Sequence, residues 1–132
     1  MTYLDCYLVP VPRANRDAYE ALARIGAAVL REHGALRVME CWLDEQGPSA
    51  ETFHGDAVRV EAERYPTFAA SAGAGPDETV VLSWVEWPDQ AARDAGMAKV
   101  TADPRMQFSD LPPTFDGRRL IAGSFVPMLR WP

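Results

Sequence analysis

Acidic and aromatic residues alternate in three short stretches of the chain: Tyr3-Leu4-Asp5-Cys6-Tyr7, Val38-Met39-Glu40-Cys41-Trp42 and Trp84-Val85-Glu86-Trp87. Neighbouring residues of a strand point to opposite faces, so Asp5 shares a face with Tyr7, Glu40 with Trp42, and Trp84 with Glu86. All six meet on one sheet face if Leu4/Cys6/Leu8, Met39/Cys41/Leu43 and Val81/Ser83/Val85 fill the other. Carboxylates between aromatic walls suit a small-molecule pocket with a proton-transfer group, because desolvation and mutual repulsion raise a carboxyl pKa toward neutrality. Glu40 and Asp5 are the candidate catalytic bases, with Tyr7, Trp42, Trp84 and Glu86 as ligand contacts. The competing reading pairs Asp5 and Glu40 with Arg37, Arg118 or Arg119, since buried carboxylates are usually paired.

Other motifs point to less. Asp116-Gly117-Arg118-Arg119 reads as a turn into a strand; at most one arginine faces inward, and Arg118 is the candidate anion contact. His33, at a helix end beside Gly34, suits a structural role with the helix dipole, and His54 beside Gly55 suits a solvated loop. Neither has further ligands at metal spacing, so no metal site and no cofactor are expected. Ser83 and Ser124 lack a nucleophile-elbow setting, and Gly73 to Gly75 lack the Lys and Ser or Thr of a phosphate loop. Cys6 and Cys41 share parity with apolar neighbours and are expected to be reduced core residues.

The elements that would position these residues follow from patterning. Tyr3 to Val9 alternates as a strand, with Pro10 and Pro12 expected to stop it. Asn15 to His33 reads as a helix capped by Asn15, carrying Tyr19, Leu22, Ala23, Gly26, Val29, Leu30 and His33 on one stripe and ending at Gly34. A strand covers Leu36 to Asp44. The pattern is weak from about 47 to 77: Ala57 to Tyr65 reads as a short helix or an extended piece, and Ser71 to Pro76, with nothing to bury, as a mobile segment. Thr79 to Trp87 is the clearest strand, ended by Pro88. Asp89 caps a helix to Ala102, Asp103-Pro104 starts a short turn through Ser109, and a last strand runs from Arg119 to Leu129.

Strand, helix, strand, strand, helix, strand predicts an α+β, ferredoxin-like βαββαβ domain with a four-stranded antiparallel sheet and both helices on one face. The 132 residues, 48% hydrophobic, supply one core, so residues 1–132 form a single domain with an irregular insertion at about 47–77. No membrane span or leader is evident, which points to the cytoplasm. A net charge of −6 argues against nucleic acid as a partner. The helix-free face would hold Tyr7, Trp42 and Trp84 or Trp87, too much aromatic area for a monomer, so a homodimer with sheets face to face is expected.

Several blocks carry a family resemblance: Tyr3-Leu4-Asp5 leading into Val9-Pro10-Val11-Pro12, Glu32-His33-Gly34-Ala35-Leu36, Val38-Met39-Glu40-Cys41, Ser83-Trp84-Val85, Arg93-Asp94, Ala98-Lys99-Val100, Ala102-Asp103-Pro104-Arg105-Met106 and Phe115-Asp116-Gly117-Arg118-Arg119-Leu120-Ile121. Together they resemble the YbaA-like proteins of unknown function in the dimeric α+β barrel group. Arg64 to Pro76 looks like an insertion relative to that family. The resemblance implies the fold and the dimer. By fold analogy alone, two functions stand open: a cofactor-free oxygenase or isomerase acting on a small conjugated substrate, and a non-catalytic ligand-binding or stress-associated homodimer. The site is expected between the helix-free sheet face and the 47–77 loop, with Glu40 near its centre.

Overall fold

The computed structural model describes residues 2–56, 64–108 and 112–132. Its main elements are β1 (Tyr3–Pro12), α1 (Arg16–Glu32), β2 (Arg37–Trp42), α2 (Phe68–Ala72), β3 (Glu78–Trp87), α3 (Gln90–Ala102) and β4 (Ile121–Phe125). The strands form one antiparallel sheet in the order β2-β3-β1-β4. This is the α+β, ferredoxin-like arrangement that the patterning predicts.

Local chemistry explains most boundaries. Gly34 takes φ +113°, a conformation a side chain would strain, and Ala35 N–H donates back to Leu30 O at 3.0 Å to close α1. Asp89 caps α3 by accepting the Ala92 N–H at 2.7 Å. Asp103 caps the tight turn Pro104–Met106 by accepting the Arg105 N–H at 2.9 Å. Asn15 precedes α1 as expected, but its side chain is used elsewhere: Nδ2 donates to the Thr114 carbonyl at 3.0 Å and ties the helix start to the chain before β4.

Strand β1 does not stop at its prolines. Leu36 N–H reaches Glu86 O and Leu43 N–H reaches Val80 O, so the even residues of β3 bond toward β2 and the odd ones toward β1. In the β1/β3 register, Val81 faces Val9 and Val80 faces Pro10, which turns the nitrogens of Pro10 and Pro12 away from β3. Strand β4 pairs with β1 only as far as Leu8, so neither proline costs the ladder a donor.

The Ser71 to Pro76 segment also departs from expectation. Thr67 caps α2 by accepting the Ala70 N–H at 3.1 Å, Ala72 is buried, and Gly73 ends the helix in the left-handed region. The expected piece at 57–65 lies almost wholly outside the described residues. Strand β4 is shorter than the expected 119–129 because Gly117–Arg119 form a tight turn capped by Asp116.

One sheet face is covered by helices, with its core in two clusters. Val9, Val11 and Val81 pack with Tyr19 of α1, Trp42 and Phe115. Ala35, Val85 and Trp87 pack with Tyr3, Tyr7, Leu30, Val38 and Met97 of α3. Trp87 is fully buried, and a Cβ on Gly96 would come within 2.5 Å of its ring and 2.6 Å of the His33 carbonyl, so α3 crosses closely only because that position has no side chain. These contacts correct the expected parity. The β3 set Val81/Ser83/Val85 does face the helices, but on β1 and β2 the helix-facing residues are Asp5, Tyr7, Glu40 and Trp42, while Leu4, Cys6, Leu8, Met39 and Cys41 line the open face.

Candidate functional site

The cleft with most polar chemistry, about 330 Å³, opens between α1 and the edge strand β2. Residues 19, 20, 23, 24 and 27 of α1 lie along it, as expected for one side of a helix. Ala23 and Ala27 leave the gap; Val38 and Val81 form its apolar floor. Glu40, mid-strand on β2, points into it, and Tyr19 donates its hydroxyl to Glu40 Oε2 at 2.8 Å. Trp42 closes one end: its Nε1 donates to Glu20 Oε1 at 2.8 Å, its ring meets Tyr19 edge-on at 5.4 Å, and the Arg16 guanidinium lies 4.6 Å above it. Glu40 is exposed at the cleft mouth, yet the groups crowding its carboxyl displace part of its water and raise its pKa, against the lowering effect of the Tyr19 hydrogen bond. Burial and the Glu40 charge push the Tyr19 phenol far up, so it stays a neutral donor. The pair is a basic carboxylate oriented by a phenol, beside an apolar floor and an indole wall.

The other expected site residues go elsewhere. Asp5 is 2% exposed and fully engaged: Arg93 Nε donates to Oδ2 at 2.9 Å and Ser124 Oγ to Oδ1 at 2.7 Å. That is a buried ion pair, with Arg93 as partner in place of Arg37, Arg118 or Arg119. Tyr7 sits in the second core cluster, its phenol raised first by burial and then by Asp5. It flanks Ser83 from β1 as Glu40 does from β2. Trp84 and Glu86 face the opposite, open side. Arg118 points to solvent and is held within its own turn, Nε donating to Asp116 Oδ1 at 3.0 Å. The six residues therefore do not converge. Glu40 and Trp42 remain together, in a cleft on the helix-covered side instead of one between the open face and the 47–77 loop.

Residues 2–117 match the model of a family described as protein of unknown function (DUF1428). The chain belongs to that family. It is 37% identical over 130 residues to the uncharacterized protein YbaA of Escherichia coli strain K12, covering 98% of both chains, and equally to YbaA of Shigella flexneri. Among solved structures it resembles Rv0793 from Mycobacterium tuberculosis, with a TM-score of 0.54 and 11% identity over 98% of each chain. It also resembles a dimeric ferredoxin-like protein from an uncultured marine organism, with a TM-score of 0.56 and 12% identity over 99% of this chain and 100% of that one. At such identities the two structures establish the ferredoxin-like fold alone.

The remaining chemistry of this DUF1428 chain is structural in form. His33 Nε2 lies 3.0 Å from Asp103 Oδ2, and Arg105 bridges Asp103 and Glu32, so the ends of α1 and α3 are tied together. Hydrogen bonds from Arg105, then from His33, hold the Asp103 carboxyl far below the usual range. His54 is half-buried and stacked on Tyr65 at 4.1 Å, where a solvated loop residue was expected. Cys6 and Cys41 are unpaired and half-buried on the open sheet face, outside the helix-covered core. Among the described residues no His, Cys, Asp and Glu group can hold a metal, and no helix is long and apolar enough to cross a membrane. Sequence reasoning missed Tyr19, Glu20 and Arg24 as site residues. Tyr19 stood on the expected buried stripe, but nothing local marks it as the partner of a residue 21 positions away.

Proposed function

We propose that this protein is a cytoplasmic homodimer, joined through its open sheet faces, whose α1/β2 clefts each bind a small conjugated molecule on which Glu40 moves a proton without metal or organic cofactor. The observation that carries the reading is the Glu40 carboxyl, raised in pKa and oriented by Tyr19 within a cleft of ligand size. The step balances without a co-reactant. The carboxylate takes a proton from the carbon beside a carbonyl, the C–H electron pair forms a carbon–carbon double bond, and the carbonyl π pair moves to oxygen as an enolate. Return of the proton to a different atom completes an isomerisation. Trp42 supplies a flat apolar wall for a conjugated substrate.

The dimer rests on the open face, where Leu82, Ile121 and Phe125, the last 58% exposed, stand in water on the protomer. The dimeric neighbour of the same fold supports it, and two unpaired cysteines suit a reducing cytoplasm. A second reading, ligand binding without chemistry, is favoured by the Tyr19 hydrogen bond that already engages Glu40.

Deuterium exchange at the methylene of phenylpyruvate, followed by NMR, tests the proton transfer. Wild type accelerates exchange, and Glu40→Gln lowers the rate at least about a hundredfold while sedimentation stays unchanged. Equal exchange by both proteins overturns Glu40 as the base, and a co-purified ligand released unchanged by wild type supports the binding reading. In the same sedimentation runs wild type is a dimer at micromolar concentration and Leu82→Asp a monomer; a monomeric wild type overturns the dimer.

A further inference from the structure

We propose that Val126–Pro132, the segment after β4, is a strap laid across the open sheet face whose outward side chains grip the partner protomer. Phe125 pairs with Leu4, and Leu4 with Glu86, so these three residues form one row from β4 over β1 to β3. The chain leaves β4 at Phe125, yet Arg130 Nη2 donates to Glu86 Oε1 at 3.1 Å. Two strand spacings are about 10 Å, which an extended stretch of this length spans easily. Glu86 has the parity of Leu82 and Trp84, so Arg130 fastens the strap to the face opposite α1 and α3, at the end of β3 away from the buried Pro10 and Val80. Pro127 and Pro132 favour extended chain over helix.

The strap does not bury its own large side chains. Met128 is 96% exposed and Trp131 85%, with Val126 and Leu129 also in water. Held against the sheet by Arg130, these groups form an apolar ridge pointing away from the protomer. The occupant that fits the ridge is a second copy of the same face, which offers exposed Met39, Leu82 and Phe125. A two-fold axis lets each strap meet the face that the other leaves open. An anionic membrane is a poor match, because the chain carries net charge −6 and the strap has a single arginine. This inference rests on the homodimer reading and adds the segment that secures it.

The test uses the full chain. Sedimentation across nanomolar to micromolar concentration compares wild type, the Met128→Ser/Trp131→Ser double variant, and Arg130→Ala. The double variant raises the dimer dissociation constant about thirtyfold or more, as loss of buried interface anchors does, and Arg130→Ala raises it less. In protein labelled with fluorotryptophan, the Trp131 fluorine resonance shifts as the dimer dilutes to monomer. A double variant that dimerises as tightly as wild type overturns the strap and leaves the homodimer standing; a monomeric wild type overturns both. Trp131-dependent binding of wild type to phosphatidylcholine vesicles with an unaltered dimer constant also overturns the strap.

Discussion

The two faces of the sheet solve burial in opposite ways. Under the helices, the carboxylates and Trp42 find partners inside the protomer: Asp5 holds Arg93 and Ser124, Glu40 holds Tyr19, and Trp42 holds Glu20. On the other side, the same strands show water a run of Leu, Met, Phe and Ile, and Glu86 is met by an arginine from beyond the sheet. The more polar face is thus the more deeply covered one. The charged groups there are each paired, although the buried Trp87 Nε1 and Thr79 Oγ1 find no partner among the described residues, whereas much of the open face is apolar and left in water on the protomer.

Three measurements sharpen this contrast. The largest effect belongs to the packed side: Trp87→Ala empties the space between α3 and the sheet and lowers unfolding free energy by about 4 kcal/mol in urea titration. Next, Asp5→Ala removes the buried partner of Arg93 and is expected to cost about 2 kcal/mol, below the full cost of a broken buried pair because Arg93 reaches solvent and keeps Asp94 at 3.2 Å. A loss as small as that of an ordinary surface substitution would mean that this face is not held by its polar pairs.

The smallest effect is a pH dependence. Burial raises the folded pKa of Glu40 above its unfolded value, so the stability it contributes is complete below the unfolded pKa and is lost as pH rises through the folded one. Glutamine does not ionise and escapes that loss. The stability of Glu40→Gln relative to wild type therefore increases across this window, by less than about 1 kcal/mol because Glu40 is exposed to solvent. A difference that does not change with pH would place the carboxyl in open water.

Much of the fold was legible in the sequence because its signals are local: Gly34 and Asp89 mark helix ends, and β-branched residues mark β3. The site was legible only in part. Asp5 looked like a pocket acid because its partners stand 88 and 119 positions away, beyond any periodic signal. Leu4/Cys6/Leu8 looked like a core set because an apolar face awaiting a protein partner has the same composition as one awaiting a helix. On β1 and β2 both alternating sets contain apolar or aromatic residues, so the pattern fixed their alternation but not which set turned inward. Glu40 lines a cleft, but on the face opposite the expected one, with α1 as its wall. Pro10 and Pro12 were read as a stop because sequence does not show that one side of β1 is unpaired there.

Those two prolines also shape how copies of the chain can meet. Beyond Leu8 the border of β1 offers an incoming strand no N–H groups at Pro10 and Pro12, so edge-to-edge growth of the sheet into a continuous ribbon is blocked there. A second copy on the broad face, by contrast, makes a contact that closes after two subunits instead of propagating.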